Sequence, residues 1–260
     1  MKRILLLTAV GIAFTVSVTG QNESATAILE KTRELTMADG LEATITLTLT
    51  DKNGNTRVRK NSMVSKTYSD GTEKRLIRFI APAEVQGTSI LIHDYKDTQD
   101  DMWIYLPALR KIRRVVSSEK GKSFMGSEFT NADISSPPAS DFVSRHLPGS
   151  GSRAGETIII ESIPADAEKI SEYGFARRIS YFEAGSWHMR KMEFFDKGGV
   201  LFKTIEVLSV ASLQEDGHYM ISEMRAINHV TGRSSSMKME NISSTVKPSD
   251  SLFDAQNLNR

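Results

Sequence analysis

The chain has 260 residues, with 33 Lys and Arg against 32 Asp and Glu, and it contains no cysteine. The balanced charge provides no field that would attract nucleic acid, so we expect no nucleic-acid partner. The missing thiol excludes disulfides, cysteine nucleophiles and cysteine-ligated metal sites.

The first 20 residues predict a secretory signal peptide. Lys2 and Arg3 precede an apolar run of about 15 residues, which is shorter than the roughly 20 that a spanning helix needs. The small or modest residues Val18 and Gly20 suit cleavage after about Gly20. An uncleaved anchor is the alternative, but polar residues follow at once from Gln21. We therefore expect an exported protein whose residues 21–260 form a single domain.

A helix and then a meander of strands are predicted after the leader. Apolar residues at helical spacing favour a helix over residues 25–38, with Ser24 as its N-terminal cap and Gly40 after its end. From Leu41 to Thr50 aliphatic residues alternate with threonine, which is typical of a half-buried strand. An Asn53-Gly54 turn follows. Further strands are predicted at residues 57–68, 73–80, 88–95, 102–106 and 111–117.

Residues 121–147 interrupt this strand pattern. Their composition predicts helical turns around residues 124–133 and 139–145, followed by a Gly/Ser-rich loop at 148–155. About twelve strands in all predict a mainly β (α+β) antiparallel sheet, and a sheet of that size must curl, split or close. A last helical turn is expected around Leu252 and Phe253. The remaining strands are predicted at residues 156–163, 176–182, 188–196, 201–211, 217–228 and 233–243.

Residues suited to catalysis form no motif. None of the five histidines belongs to a His-Glu-x-x-His pattern, and ordinary surface or strand histidines explain them better than a zinc site. Neither a Gly-x-Ser-x-Gly elbow nor a P-loop is present. The sequence therefore predicts a protein that is not an enzyme and that needs no cofactor or metal.

Large apolar side chains indicate more about function than the residues suited to catalysis do. Residues 102–106 (Met-Trp-Ile-Tyr-Leu) place large groups on both faces of one strand, and Phe124, Met125 and Phe129 lie in a segment without strand alternation. Eleven methionines are present, and this flexible side chain suits a surface that repacks around a mobile ligand. The same residues would also fill a closed core, so composition leaves both interpretations open.

A basic run is the strongest local concentration of charge. It consists of Arg110, Lys111, Arg113 and Arg114. One interpretation is a solvated strand edge protected from aggregation. The other is a patch that binds anionic headgroups or an acidic partner. The sequence does not choose between them.

Several segments together resemble the outer-membrane lipoprotein-sorting protein family, which is LolA-like. They are Arg78 to Pro82, Gly87 to Leu91, and the two most specific motifs, Trp103-Ile104-Tyr105-Leu106-Pro107-Ala108-Leu109 and Ser123-Phe124-Met125-Gly126-Ser127. The ending Asp250-Ser251-Leu252-Phe253 is also similar. The resemblance extends, in order, over most of the chain after the leader.

This resemblance implies a curved antiparallel sheet that forms an incomplete β-barrel, with helices covering its concave face. It also implies a periplasmic, non-enzymatic carrier that binds lipid or lipoprotein acyl chains for transfer to or from the outer membrane. Implied partners are an outer-membrane acceptor or an inner-membrane exporter of the resistance-nodulation-division type, and we expect a monomer. The alternative is a periplasmic sensor or adaptor of the same fold that binds a protein partner such as an envelope-stress regulator.

The strand alternation gives candidate residues for such a site. We expect Phe124, Met125 and Phe129 to act as a lid, and Arg110, Lys111, Arg113 and Arg114 to contact headgroups or a partner. The expected cavity wall consists of Ile45, Leu47, Leu49, Ile77, Phe79, Trp103, Tyr105, Met192 and Phe194.

Overall fold

The computed structural model describes residues 23–213 and 217–259, so the predicted signal peptide, residues 1–20, lies outside the described residues. Thirteen strands of the described part form one antiparallel sheet. The strands are β1 (Leu41–Thr50), β2 (Thr56–Thr67), β3 (Glu73–Ala81), β4 (Ser89–Asp94), β5 (Asp101–Leu106), β6 (Lys111–Arg114), β7 (Phe142–His146), β8 (Thr157–Pro164), β9 (Arg177–Glu183), β10 (Met189–Phe195), β11 (Leu201–Ser212), β12 (Tyr219–Asn228) and β13 (Ser234–Ser243).

Two meanders make up this sheet. Within β1 to β6 and within β7 to β13, each strand pairs with its neighbours in the chain, and β1 also pairs with β13, so the order is β6-β5-β4-β3-β2-β1-β13-β12-β11-β10-β9-β8-β7. Strands β6 and β7 each pair on one side only, so the sheet is not closed. Ile104 of β5 and Phe194 of β10 are distant in this order but belong to one apolar core, because the sheet curls around it. The predicted incomplete barrel is confirmed.

Helices and turns cover the concave face of the sheet. Helix α1 (Ala25–Leu35) begins at Ser24, whose hydroxyl accepts a hydrogen bond from the amide of Ala27 at 3.1 Å. Residues 115–141, which connect β6 to β7 and contain the short helix α2 (Asn131–Ile134), cross over the same face. We call them the crossover segment. The predicted helix at 25–38 is therefore confirmed, although it ends three residues earlier, at Leu35.

Two elements differ from the sequence prediction. Residues 139–145, expected to be helical, form a single 3₁₀ turn at Ala139–Asp141 and then strand β7. This short edge strand forms because its backbone pairs with β8, a long-range contact that the local sequence pattern does not indicate. Helix α3 (Ala167–Tyr173) was not predicted; Asp166 caps it and Gly174 ends it with a positive φ of 76°.

The C-terminal residues pack on the convex face. Their two 3₁₀ turns, Asp250–Phe253 and Ala255–Asn257, carry Phe253 and Leu258 onto a second apolar cluster with Leu76 and Leu91. The helical turn expected around Phe253 is confirmed. Both faces of the sheet near β3 to β5 are therefore covered by other parts of the chain.

Candidate functional site

An apolar cavity lies on the concave face, between the sheet, α1 and the crossover segment. Its volume is about 700 Å³, within the range of roughly 300–1,000 Å³ that is usual for pockets that bind small ligands. Leu29 and Thr32 of α1 line one side, and Pro137 and Pro138 of the crossover segment line another. The sheet supplies the remaining wall.

Methionine dominates the wall that the sheet supplies. Strand residues alternate between the two faces, and cross-strand pairs such as Met224 with Met237 bring side chains of neighbouring strands together on the concave one. Unbranched thioether side chains adopt many rotamers and can repack around a flexible ligand. Seven methionines line the cavity: Met63, Met189, Met192, Met220, Met224, Met237 and Met239.

Seven of the nine expected wall residues lie on the concave side and divide into three groups. Ile45, Ile77 and Met192 line the cavity. The second group, Leu47, Phe79 and Phe194, belongs to the buried core beside it without being part of its lining. Leu49 packs against the same core and faces a separate, more basic cleft that Arg57 and Arg59 also line.

The placement of Trp103 and Tyr105 in the concave wall is wrong. In β5 the alternate residues Met102 and Ile104 face the concave core, and therefore Trp103 and Tyr105 face the convex side. Trp103 stands opposite Leu91 in the register, and both pack in the cluster that the C-terminal turns cover. Because both faces of β5 carry large apolar groups, the sequence alone could not indicate which face is concave.

The three expected lid residues lie in the crossover segment, as the sequence placed them. Phe124 is 1% exposed and lines the cavity. Phe129 is fully buried in the concave core, and Met125 packs partly against it with a positive φ of 50°. Phe124 thus borders the hollow from the crossover segment, Met125 and Phe129 pack in the core beside it, and α1 lines another side.

Polar contacts attach the crossover segment to the sheet. Asp133 accepts from the ammonium of Lys203 at 2.6 Å, and both side chains are buried. Glu128 pairs with Arg233 at 3.0 Å and accepts from the amide of Asn228 at 2.9 Å. Since breaking a buried ion pair leaves an uncompensated charge, these contacts hold the segment in place.

A buried polar cluster anchors both ends of the crossover segment. Near the start, Lys120 pairs with Asp100 and, at 3.1 Å, with Glu172 of α3. At the end, Asp141 accepts from the Tyr173 hydroxyl and from the ammonium of Lys169 at 3.1 Å. Although burial alone would raise it, hydrogen bonds from Tyr173, Gln99 and Lys169 lower the pKa of Asp141. Burial and the bond to Asp141 raise the pKa of Tyr173.

Charged groups also border the cavity. Arg75 forms an ion pair with Asp94, which is fully buried, and its Nε lies 3.4 Å from a carboxylate oxygen of Glu73. Burial raises the pKa of Glu73, although Arg75 opposes this. Nine charged residues belong to the lining, so the cavity has a charged part beside its apolar wall: Glu30, Arg33, Glu34, Glu73, Arg75, Lys96, Asp97, Asp133 and Arg178. Sequence reasoning missed Glu73, Arg75 and Arg178, since charged positions on an alternating strand normally indicate the wet face.

The basic run begins at Arg110, just before the edge strand β6, and continues along that strand. All of β6 is exposed, and its outer edge has no partner strand among the described residues. Arg113 pairs with Glu119 at 2.7 Å and Arg114 pairs with Asp101, whereas no ion pair joins Arg110 or Lys111 to another described residue. The neighbouring apolar residues Leu109, Ile112 and Val116 are also exposed. The surface thus combines two unpaired cations with exposed apolar groups.

The part of the chain that the structure describes contains neither a group of metal ligands nor a membrane-spanning helix. Within residues 23–213 and 217–259, no three His, Asp or Glu side chains group as potential metal ligands. None of the helices in that part of the chain has the length and apolar content required to cross a bilayer.

Comparison with known proteins agrees with this architecture. A family model described as "Uncharacterized protein" matches residues 71–260. No curated protein matches the sequence significantly. Among solved structures, an outer membrane lipoprotein-sorting protein domain from Vibrio parahaemolyticus is 26% identical, with a TM-score of 0.81 over 91% of this chain and 98% of that one.

Two further structures share the fold. A DUF1329 family protein from Desulfovibrio piger is 25% identical, with a TM-score of 0.79, and the alignment covers 90% of this chain and 97% of that one. A LolA superfamily protein from Nitrosomonas europaea is 16% identical, with a TM-score of 0.66 over 89% of this chain and 97% of that one. The chain therefore belongs to the family whose model spans residues 71–260, and its fold is LolA-like, as the sequence motifs indicated.

Proposed function

We propose that this protein is a non-enzymatic periplasmic carrier that binds acyl chains of a lipid or lipoprotein in its concave cavity, for transfer to or from the outer membrane. The observation that carries the proposal is the hollow of about 700 Å³ lined by seven methionines. A protein without a ligand would bury these side chains against one another in a closed core. Here they surround a space instead.

The energetics of acyl transfer suit such a hollow. Each CH₂ group removed from water contributes about 0.8 kcal/mol, so an exposed chain rarely leaves a membrane unaided. A carrier has to approach the affinity of the membrane and still release its cargo. Flexible methionines provide apolar area that adapts to chains of different shape. Release then depends on opening of the cover and requires no chemical step.

The Vibrio relative supports the lipoprotein-sorting aspect, since its description names that role. Export to the periplasm is consistent with the predicted signal peptide at residues 1–20. The unpaired cations Arg110, just before the exposed edge strand, and Lys111, at its start, suit contact with anionic headgroups or with an acidic acceptor. An exporter of the resistance-nodulation-division type remains a candidate donor on the family resemblance.

Binding of a fluorescent fatty acid tests the proposal directly. Met224→Asp would place a charge in the apolar wall, and we expect affinity to fall at least tenfold because burying an unpaired carboxylate costs several kcal/mol. Leu208→Asp is the matched control, because Leu208 is 51% exposed on the neighbouring strand β11 and is not part of the cavity lining. Circular dichroism would confirm that both variants fold.

Equal affinity of the two variants would contradict the assignment of the cavity. Mass spectrometry of the purified protein separates the carrier from the adaptor alternative. Co-purified acyl lipid that is lost in Met224→Asp supports the carrier. A stable complex with a protein partner, unchanged by Met224→Asp and free of lipid, supports the sensor or adaptor.

A further inference from the structure

One arginine on the cavity wall lacks an acidic partner. Arg178 of β9 lines the cavity, and its Nε is buried without a hydrogen-bond partner among the described residues. Its register neighbours on the adjoining strands are Phe194 and Ser162, neither of which carries a charge. The guanidinium instead lies beside aromatic rings, with Cζ 5.1 Å from the ring centre of Phe142 and 5.9 Å from that of Phe175.

The acid that interacts electrostatically with Arg178 is already engaged. Asp133 attracts the guanidinium at longer range, but its carboxylate accepts from Lys203 at 2.6 Å and from the amide of Thr130 at 2.7 Å. Burial lowers the pKa of Arg178, because the guanidinium is removed from water without a close acidic partner. An arginine nevertheless stays protonated, so the cavity wall holds a net positive group.

An uncompensated charge beside an apolar cavity is costly, and buried charges in folded proteins are normally paired. Two other buried cations of the cavity region follow that rule, since Arg75 pairs with Asp94 and Lys203 pairs with Asp133, whereas Arg33 at the cavity donates to the carbonyl oxygens of Gly71 and Asp94. A guanidinium has five donors in a planar fork that matches a carboxylate or phosphate. A ligand with one of these groups would supply the missing partner.

We infer that Arg178 binds the oxyanion of an acidic lipid whose acyl chain occupies the methionine-lined part of the cavity. This inference rests on the proposed function and narrows it. The acyl anchor of a lipoprotein is joined through ester, thioether and amide groups and has no oxyanion next to its chains. Arg178 therefore favours a free acidic lipid as cargo, with either a carboxylate or a phosphate headgroup.

Displacement of the neutral fluorescent probe N-phenyl-1-naphthylamine from delipidated protein tests this inference. Palmitic acid, methyl palmitate and 1-palmitoyl lysophosphatidic acid serve as competitors, so that each has one chain of the same length while the headgroup changes. We expect the wild-type protein to prefer palmitic acid to its methyl ester by about tenfold, from one charge-assisted interaction. The better of the two acidic competitors identifies the headgroup.

Arg178→Gln should lower the affinity for the preferred acid about tenfold and leave the affinity for the ester unchanged. Arg177→Gln is the control, because the neighbouring Arg177 points to the other face of β9 and pairs with Glu161 at 3.4 Å. Glu161 keeps a second partner in that variant, Arg145 at 2.6 Å. The control should retain the preference for the acid.

Thermal unfolding without ligand separates a binding role from a structural one. Arg178→Met removes an unpaired charge, so we expect its unfolding midpoint to equal or exceed that of the wild-type protein. A much lower midpoint, or equal losses of affinity for acid and ester in Arg178→Gln, would overturn the inference. Equal affinity of the wild-type protein for acid and ester would overturn it while leaving the carrier function intact. Failure to bind any of the three competitors would overturn both.

Discussion

At the scale of single residues, this protein places flexible apolar groups and a few buried charges around one hollow. The methionines provide adaptable area, whereas Arg75, Lys120 and Lys203 each have carboxylate partners. The buried cluster around Asp141 has a different task, since it ties the end of the crossover segment to α3. The stability of the folded protein therefore depends on the ionisation of the Asp141 carboxylate.

Asp141→Asn should make the protein less stable at pH 7, and the difference should shrink in acid. The folded-state pKa of Asp141 lies below its ordinary value of 3.8, so its contribution is present above pH 3.8 and is lost as the pH falls through the folded value. Urea unfolding midpoints between pH 7 and pH 2.5 measure this. Glu168→Gln is the control, because Glu168 is exposed on α3, and it should leave the unfolding midpoint unchanged at both ends of this pH range. A difference independent of pH would contradict the proposed role of ionisation.

At the scale of elements, the two covers of the cavity are held differently. The crossover segment is fastened by the buried Lys203–Asp133 pair and by Glu128 to β12 and β13. Helix α1 packs through Ala25 and Ile28, and among the described residues its Arg33 donates only to the carbonyl oxygens of Gly71 and Asp94, at 3.5 and 3.3 Å. An 11-residue helix is marginal without tertiary packing, so α1 is the element that we expect to open.

Hydrogen–deuterium exchange tests which cover opens. Amides of α1 should exchange faster than the amide of Phe124, which donates to Phe129 at 2.7 Å within the crossover segment, because local opening follows the less strongly held element. Bound fatty acid should slow exchange in α1 more than in the crossover segment. Faster exchange in the crossover segment would instead identify Phe124, Met125 and Phe129 as the moving lid.

The edge strand β6 has a separate role in this scheme. Arg110→Glu with Lys111→Glu should slow transfer of a fluorescent fatty acid to anionic vesicles several-fold and leave cargo affinity unchanged, because these exposed cations lie outside the cavity lining. Lys60→Glu with Lys197→Glu, also exposed, makes the same charge change elsewhere. Equal loss of transfer and cargo binding would place the basic run at the cargo site. Unchanged transfer would support the interpretation of β6 as a solvated edge.

At the scale of the whole molecule, one curled sheet supports apolar clusters on both faces, in addition to the smaller one that holds α1. The concave cluster surrounds the cavity, and the convex cluster around Leu76, Leu91 and Trp103 is sealed by the C-terminal turns. Because the clusters are separate, stability and cargo binding can be changed independently. The convex seal holds β3, β4 and β5 together without contact with the cavity.

Phe253→Ala should lower the free energy of unfolding by about 3 kcal/mol and leave fatty-acid affinity unchanged, since it creates a void in the convex cluster. Leu252→Ala is the matched control, because Leu252 is 38% exposed whereas Phe253 is 2% exposed. We expect Leu252→Ala to cost less than 1 kcal/mol. Urea denaturation and probe displacement measure the two properties. A parallel loss of binding would show that the two faces are coupled.

Local pattern by itself determined much of this molecule. The alternation of aliphatic residues with threonine predicted β1 over residues 41–50, and the Asn53-Gly54 turn predicted its hairpin with β2. Motifs such as Ser123-Phe124-Met125-Gly126-Ser127 indicated the family and, through it, the open curved sheet. These features are encoded by neighbouring residues, whose spacing already reflects the period of a strand or the φ requirements of a turn.

Only the tertiary structure decided which face of each strand is concave and which charges lie in the cavity. In β5 both faces are apolar, because the C-terminal turns cover Trp103 while the concave core covers Ile104, so alternation could not distinguish them. Arg178 likewise reads as a solvent-facing residue in sequence, although curling of the sheet brings it to the cavity wall. The physical reason is that a period of two sorts residues into two faces, whereas long-range packing determines what each face contacts.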